Sequence, residues 1–201
     1  MPEIVSGSSS IGPDRLPLPP DDELTATQLT AVREIAAGPR GALFGPFVPL
    51  LRSPELMTRL QHVGAHLRFD SRLPHRVVEL SILLVARRWS QGFEWGHHRP
   101  LAEQAGIPES VVAAIARDEE PPEMDETLSA VWAFVHELDR TGAVSDAAYA
   151  RCLALFADVG IVELVATLGY YTTLAMVMNV ARTPPPPPDG GIELTDRGTL
   201  R

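Results

Sequence analysis

The fold is decided by residues 75–89, which read HRVVELSILLVARRW. Pro74 comes directly before this stretch, and a proline suits the start of a helix because the first turn leaves its N–H groups unpaired in any case. Apolar side chains fall on almost every side of the helix, as expected where neighbouring elements surround it. The stretch therefore predicts the central helix of an all-α protein, with a single carboxylate, Glu79, in its middle.

Helix signals continue on both sides of this central helix. Caps, prolines and glycines delimit further helices at 25–37, 56–69, 93–105, 108–116, 125–140, 147–158 and 160–181. No segment alternates polar and apolar residues between hairpin turns, so we expect no sheet. The sequence predicts a bundle of about eight helices.

The two ends of the chain differ in composition from its middle. Residues 1–22 are rich in Ser, Gly and Pro and predict a flexible arm, whereas residues 183–201 form a Pro-rich tail. The run Pro184–Pro188 is typical of a stiff tail or of a strap across a neighbouring subunit. One helical domain over residues 23–182 is expected, since 201 residues suit a single core.

Composition and charge exclude several classes of function. Hydrophobic residues make up 45% of the chain and charged residues 21%, a globular composition with no evident membrane span or signal peptide. A formal charge of −9 disfavours nucleic acid as a partner. The single cysteine, Cys152, cannot form an internal disulfide and is expected to be a small buried residue. We therefore expect a cytoplasmic protein.

Glu79 is the first candidate for a functional side chain. Burying a carboxylate among apolar neighbours costs several kcal/mol unless the group is paired or protonated. An ion pair with Arg76, Arg87 or Arg88 would explain it structurally, whereas a carboxyl with a shifted pKa would suit general acid or base chemistry.

A second group of polar residues follows in QGFEWGHHRP, residues 91–100. Glu94 and His98 lie one helical turn apart on the same face and can share a proton. Trp95 is adjacent and offers an apolar wall or an indole N–H, while His97 points about 100° away from His98. A polar face at a subunit interface and a metal site are alternatives, although no complete metal motif is present.

The segment from Glu79 to Arg88, followed by Phe93–His98 and Ala105-Gly106-Ile107, resembles the carboxymuconolactone decarboxylase family. The later Leu168–Tyr171 and Asn179 resemble the last helix of that family. This superfamily includes the alkylhydroperoxidase-D-like (AhpD-like) proteins, in which a Glu, a Cys-x-x-Cys pair and a His occupy two successive helices. The matching positions here hold Glu79, then Gln91 and Glu94 in place of the cysteines, then His98.

The resemblance has consequences for chemistry. A thiol peroxidase is not expected, because one thiolate must attack and a second must resolve the sulfenic acid. The decarboxylase side of the family implies a lyase that needs no metal or organic cofactor and acts on a small carboxylated lactone. The implied catalytic residues are Glu79, Glu94 and His98. His98, oriented by Glu94, is the expected proton donor or oxyanion partner, and Glu79 is the second acid or base.

The resemblance also implies the surroundings of the reaction. The expected substrate-binding residues are Trp95, His97, Arg87 and Tyr170. Arg87 or Arg88 is expected to neutralise a substrate carboxylate, and Tyr170 to line the pocket. A homo-oligomer, a trimer or a hexamer, is expected. The alternative function is a non-catalytic binding or assembly protein that keeps the fold after losing the thiols.

Overall fold

The computed structural model describes residues 12–122 and 124–195. These residues form eight α-helices and no strand, which confirms the all-α prediction: α1 Ala26–Ala37, α2 Phe47–Leu50, α3 Pro54–Ala65, α4 His75–Arg88, α5 Gly92–Gln104, α6 Glu109–Ala116, α7 Glu126–Thr141 and α8 Asp146–Ala181. A 3-10 turn covers Asp21–Glu23, and a π-helical stretch, His66–Asp70, continues α3. The sequence analysis predicted neither α2 nor the π-helical stretch.

Side-chain caps explain where several helices begin. Thr25 and Gln28 form a reciprocal capping box at the start of α1. Asp125 and Ser145 accept hydrogen bonds from backbone N–H groups in the first turns of α7 and α8. Ser53 precedes Pro54 as expected, but its side chain makes no capping bond, so proline at the first position marks the start of α3.

Helix α4 lies at the centre of the fold and contacts α5, α6, α7 and α8. Ten of its residues are buried, on all sides of the helix, which agrees with the all-round apolar pattern. Residues 75, 76, 84 and 88 escape full burial. Since the rest of the bundle forms around α4, the position of Glu79 is fixed by the core itself.

Helix α8 is the longest element and is interrupted at Ala157, whose φ of 56° and ψ of −178° are not helical. The sequence predicted two helices here, with a break one to two residues later. By length and composition alone α8 could cross a membrane, since its most apolar window has a mean hydropathy of 1.9. A single helix of this kind is also found in the cores of soluble proteins, so it does not overturn the expectation that the sequence has no membrane span. In this fold α8 packs against α4 and α7.

The Pro-rich segment after α8 lies across α5 and α6 of its own chain. The Trp95 indole donates to the carbonyl of Ile192 at 2.7 Å, and the Thr195 N–H donates to the carbonyl of Ala116 at 3.2 Å. A Cβ on Gly96 would lie 2.6 Å from the Pro186 ring, so only glycine permits this approach. The sequence did not indicate that the Pro-rich segment contacts helices of its own chain.

The parts of the terminal arms that the structure describes are attached to the bundle. The Arg15 N–H donates to the carbonyl of Ala181 at 2.7 Å, near the end of α8. The remaining predicted arm and tail residues, 1–11 and 196–201, lie outside the described residues.

The break in α8 generates a prediction about stability. Ala157 occupies a region of φ and ψ that only glycine adopts without strain. We expect Ala157→Gly to raise the free energy of unfolding by about 1 kcal/mol in a urea titration. The matched control, Ala154→Gly, removes an exposed alanine from a regular turn of the same helix and is expected to lower it by about 0.5–1 kcal/mol. An equal decrease in the free energy of unfolding in both variants would contradict the assignment of strain to residue 157.

Candidate active site

The packing of α4 against α5 brings Glu79, Glu94 and His98 together inside the bundle. His98 Nδ1 lies 2.7 Å from Glu79 Oε2, and His98 Nε2 lies 3.3 Å from Glu94 Oε2. Their exposed fractions are 0% for Glu79, 3% for Glu94 and 2% for His98. The imidazole is thus held between two carboxylates from two helices. His75, one turn before Glu79 on α4, places Nε2 3.2 Å from Glu79 Oε1.

The protonation of this cluster follows from its contacts. Burial alone raises the pKa of Glu79, but the hydrogen bond and charge of His98 outweigh it and the pKa is lowered. Burial alone lowers the pKa of His98, but hydrogen bonds to Glu79 and Glu94 outweigh it and the pKa is raised. The contacts of His98 with Glu79 and Glu94 therefore favour its imidazolium form.

Both ring nitrogens of His98 already have partners, which limits what this residue can do directly. As an imidazolium it donates to both carboxylates and has no lone pair for a metal ion. Within residues 12–122 and 124–195 no group of three or more His, Cys, Asp or Glu side chains could hold a metal.

A small cavity of about 20 Å³, room for roughly one water molecule, adjoins the cluster. It lies between the loop after α1, the π-helical stretch, α5 and α8. Its lining residues are Arg40, Phe44, Pro46, Phe47, Arg68, Phe93, Glu94, His97, His98, Tyr171 and Leu174.

Four buried polar atoms on side chains that line this cavity have no hydrogen-bond partner among the described residues: Glu94 Oε1, His97 Nε2, Arg40 Nη1 and Arg68 Nε. A buried polar atom without a partner costs about 1–3 kcal/mol, so such atoms are rare in folded proteins. Their concentration around one cavity is the pattern of a site whose partners arrive with a polar ligand.

His97 occupies the cavity wall as a neutral side chain. Burial lowers its pKa to about 4, and the charges of His98, Arg68 and Arg40 contribute to the decrease. The ring stacks on Phe93 with a centroid distance of 6.1 Å, and the ring of Phe44 lies at 5.4 Å, tilted by 46°. The assignment of His97 to substrate binding is compatible with this position, although its ring and that of His98 meet edge to face at 4.9 Å.

The other predicted substrate-binding residues do not line the cavity. Trp95 binds the C-terminal segment through its indole N–H. Arg87 donates to the carbonyls of Ala116 and Thr195, so the expectation that it neutralises a substrate carboxylate is corrected. Tyr170 lies just behind the wall, where its hydroxyl accepts a hydrogen bond from Arg40 at 3.5 Å.

Sequence reasoning missed Arg40, Arg68 and Tyr171 as cavity residues. Tyr171 meets His98 edge to face at 5.3 Å and belongs to a segment that the resemblance had already singled out. Arg40 follows a Gly-Pro pair in a loop, and Arg68 belongs to the π-helical stretch. Neither local sequence pattern indicates a function, because the tertiary fold alone brings the two arginines to the same cavity.

Comparisons with known proteins identify the fold. No protein-family model and no curated protein matches the sequence. An uncharacterized peroxidase-related protein from Ralstonia eutropha JMP134, described as an alkylhydroperoxidase AhpD core, is similar in structure with a TM-score of 0.69 and 12% identity. The alignment covers 90% of this chain and 95% of that one.

A protein of unknown function from Agrobacterium tumefaciens, proposed as antioxidant defence protein AhpD, is similar with a TM-score of 0.60 and 22% identity. That alignment covers 68% of this chain and 94% of the other. The two structures confirm the predicted AhpD-like fold. Membership of the carboxymuconolactone decarboxylase family itself stays a prediction.

The pKa of His97 generates a prediction about stability and pH. The unfolded chain protonates His97 near pH 6.5, whereas the folded protein does so only at about pH 4. Stability should therefore fall as the pH drops through this window. Between pH 6.5 and 5.0 we expect His97 to account for a loss of about 1–2 kcal/mol in the free energy of unfolding.

Urea titrations at the two pH values measure this loss. His97→Gln should remove it, whereas His62→Gln, which replaces an exposed histidine of α3, should leave it unchanged. The other members of the cluster do not interfere in this window. The raised pKa of His98 contributes stability that is lost as the pH rises above about 6.5. The lowered pKa of Glu79 contributes stability that is lost as the pH falls below about 4.5. An unchanged loss in His97→Gln would refute the buried neutral state.

Proposed function

We propose that the protein is a cofactor-free decarboxylase, or a related proton-transfer lyase or isomerase, that acts on a small carboxylated, lactone-like substrate. The supporting observation is the position of Glu94. One carboxylate oxygen meets His98, while the other, Oε1, is buried without a partner on a residue of the cavity wall. A carboxylate in this position can exchange a proton with a bound substrate on one side and with an imidazolium on the other.

In this proposal Glu94 is the group that touches the substrate. Loss of carbon dioxide breaks the C–C bond and leaves its electron pair on the substrate, delocalised into a conjugated carbonyl. Glu94 transfers one proton from His98 Nε2 to the resulting carbanion, so the substrate carboxylate and one proton become carbon dioxide and a C–H bond. The His98 imidazole, then neutral, regains its proton through Glu94 when product release admits water to the cavity.

In this proposal Glu79 and His98 do not touch the substrate and act through Glu94. The bond between His98 Nδ1 and Glu79 fixes the orientation of the ring and stabilises its positive charge. This assignment differs from the sequence analysis, in which His98 itself met the substrate, because Glu94 occupies the ring nitrogen that the substrate would need.

Access to the site requires movement, because a cavity of about 20 Å³ holds a water molecule and no organic acid. Phe44, which covers His97, belongs to the loop between α1 and α2, residues 38–46. Gly41 and Gly45 in this loop have φ values of 72° and 55°. We propose that the loop moves aside when the substrate enters.

Peroxidase chemistry, suggested by the description of the Ralstonia structure, is not supported for this chain. Cys152 is the single cysteine of the sequence, and it is fully buried on α8. Burial raises the pKa of its thiol to about 11, which leaves almost no thiolate near pH 7. No second thiol exists to resolve a sulfenic acid.

We also propose that the protein works as a homo-oligomer, as the resemblance implies. Several large apolar side chains of α8 are exposed in the protomer: Tyr149, Leu153, Leu155, Val159, Val162, Val165, Met176 and Val180. An apolar surface of this extent on one helix is typical of an interface between subunits. A trimer or hexamer and a cytoplasmic location stay predictions.

A turnover screen tests the proposed role of Glu94. Wild-type protein, without added metal, is incubated in D₂O with a panel of carboxylated lactones, β-keto acids and vinylogous acids. Mass spectrometry then follows loss of carbon dioxide and uptake of deuterium at carbon. We expect Glu94→Gln to react about 10²–10⁴-fold more slowly than wild type, since the amide cannot transfer the proton.

The control is Glu103→Gln, which makes the same chemical change two turns later on α5. Glu103 bonds Arg99, away from the cavity, so wild-type turnover is expected. Equal turnover by Glu94→Gln and wild type would contradict the proposed role. If wild type changes no member of the panel, the alternative of a non-catalytic binding or assembly protein gains support.

A further inference from the structure

We propose that Arg40 and Arg68 form an anion subsite that binds the substrate through a carboxylate, and that this subsite restricts the protein to small acids. The inference rests on the proposed function, because it assigns the substrate-binding part of the same site. Its test, however, measures binding without turnover.

Arg40 presents a donor that the fold leaves unused. Its Nη2 lies 3.5 Å from the hydroxyl of Tyr170, while its buried Nη1 has no partner among the described residues. The guanidinium lies over the ring of Phe47, 4.9 Å from the centroid. An aromatic face attracts the cation but accepts no in-plane N–H bond, so the donor stays available to a ligand.

Arg68 approaches the same cavity from the π-helical stretch. Its Nε is buried and has no partner among the described residues. Its guanidinium lies 5.3 Å from the ring centroid of Phe69, and Arg40 lies 5.9 Å from the same ring. Both guanidinium groups therefore lie beside the same aromatic ring. Neither arginine forms an ion pair with a carboxylate of residues 12–122 or 124–195, which is unusual for partly buried guanidinium groups.

The charges around the cavity favour one anion. Glu79 and Glu94 are balanced in part by the His98 imidazolium, and His97 is neutral. Addition of Arg40 and Arg68 leaves one positive charge in excess. A single carboxylate neutralises this charge and supplies acceptors for the unpaired N–H groups of both arginines.

The subsite also determines which carboxylate a decarboxylation could release. A carboxylate bound to two guanidinium groups is stabilised as an anion, so its loss as carbon dioxide is disfavoured. The carboxylate held by Arg40 and Arg68 is therefore one that the reaction retains. The substrate of a decarboxylation then carries a second carboxylate, whose charge the site does not neutralise and which leaves as neutral carbon dioxide. The reacting carbon then lies toward Glu94, on the other side of the cavity.

A binding experiment with simple probes tests the subsite. Acetate and its neutral analogue acetamide are titrated into the full-length protein at pH 7 and constant ionic strength. The imidazole signals of His97 and His98 are followed by nitrogen NMR. We expect saturable shifts with acetate and none with acetamide at the same concentration, because only the anion neutralises the excess charge.

Variants identify the residues responsible. Arg40→Gln and Arg68→Gln should each weaken acetate binding at least tenfold. Arg52→Gln should bind like wild type, since Arg52 is exposed and bonds the carbonyls of Val48 and Pro17. Arg68→Lys keeps the charge without the planar fork and should lose less than Arg68→Gln.

Two results would overturn the proposal: acetamide that binds as tightly as acetate, or folded Gln variants that bind acetate like wild type. The comparison of acetate with acetamide uses wild-type protein, so it tests the subsite even if a variant fails to fold. Acetate has no conjugated carbonyl to accept an electron pair and is not turned over. Specific acetate binding together with an inactive turnover screen would therefore reject the proposed reaction and retain the subsite.

Discussion

The hydrogen bond between Glu79 and His98 is the constraint on which the rest of the structure depends. It joins the central helix of the core to its neighbour α5 at a place where neither group contacts solvent. Removal of Glu79 would leave His98 with Glu94 as its remaining ionic contact, and removal of His98 would leave Glu79 with His75. Loss of half of the pairing of a buried charge costs more than loss of an exposed ion pair. The register of α4 against α5 is thereby specified, and Glu94 is held at the cavity by the same ring.

The sequence was sufficient for the α-helices other than α2 and for the members of this cluster, because both depend on local patterns. Helical spacing placed Glu94 and His98 on one face, and the apolar surroundings of Glu79 indicated that it needed a buried partner. The sequence did not identify that partner. The arginines near Glu79 were the candidates, whereas His98, 19 residues later, fills the position.

Arg40 and Arg68 could not be predicted as cavity residues because they belong to a loop and to the π-helical stretch. Arg40 and Arg68 lie 28 positions apart, and their proximity depends on how α1 and α3 pack together rather than on any periodicity. For Arg87, proximity in sequence to Glu79 led to a prediction that the structure does not support. Arg87 is close in sequence to Glu79, yet it points to α6 and the C-terminal segment, since eight residues along a helix place two side chains on nearby faces but two turns apart.

The C-terminal segment across α5 has a consequence for the biosynthesis of this protein. Translation completes α5 long before residues 184–195, the last part of the described chain, leave the ribosome. Until then, the outer face of the helix, with Trp95 and Gly96, lacks its cover. The nascent chain must therefore carry an incompletely enclosed core through most of synthesis. Fusion of a bulky partner directly behind this segment would prolong that exposure.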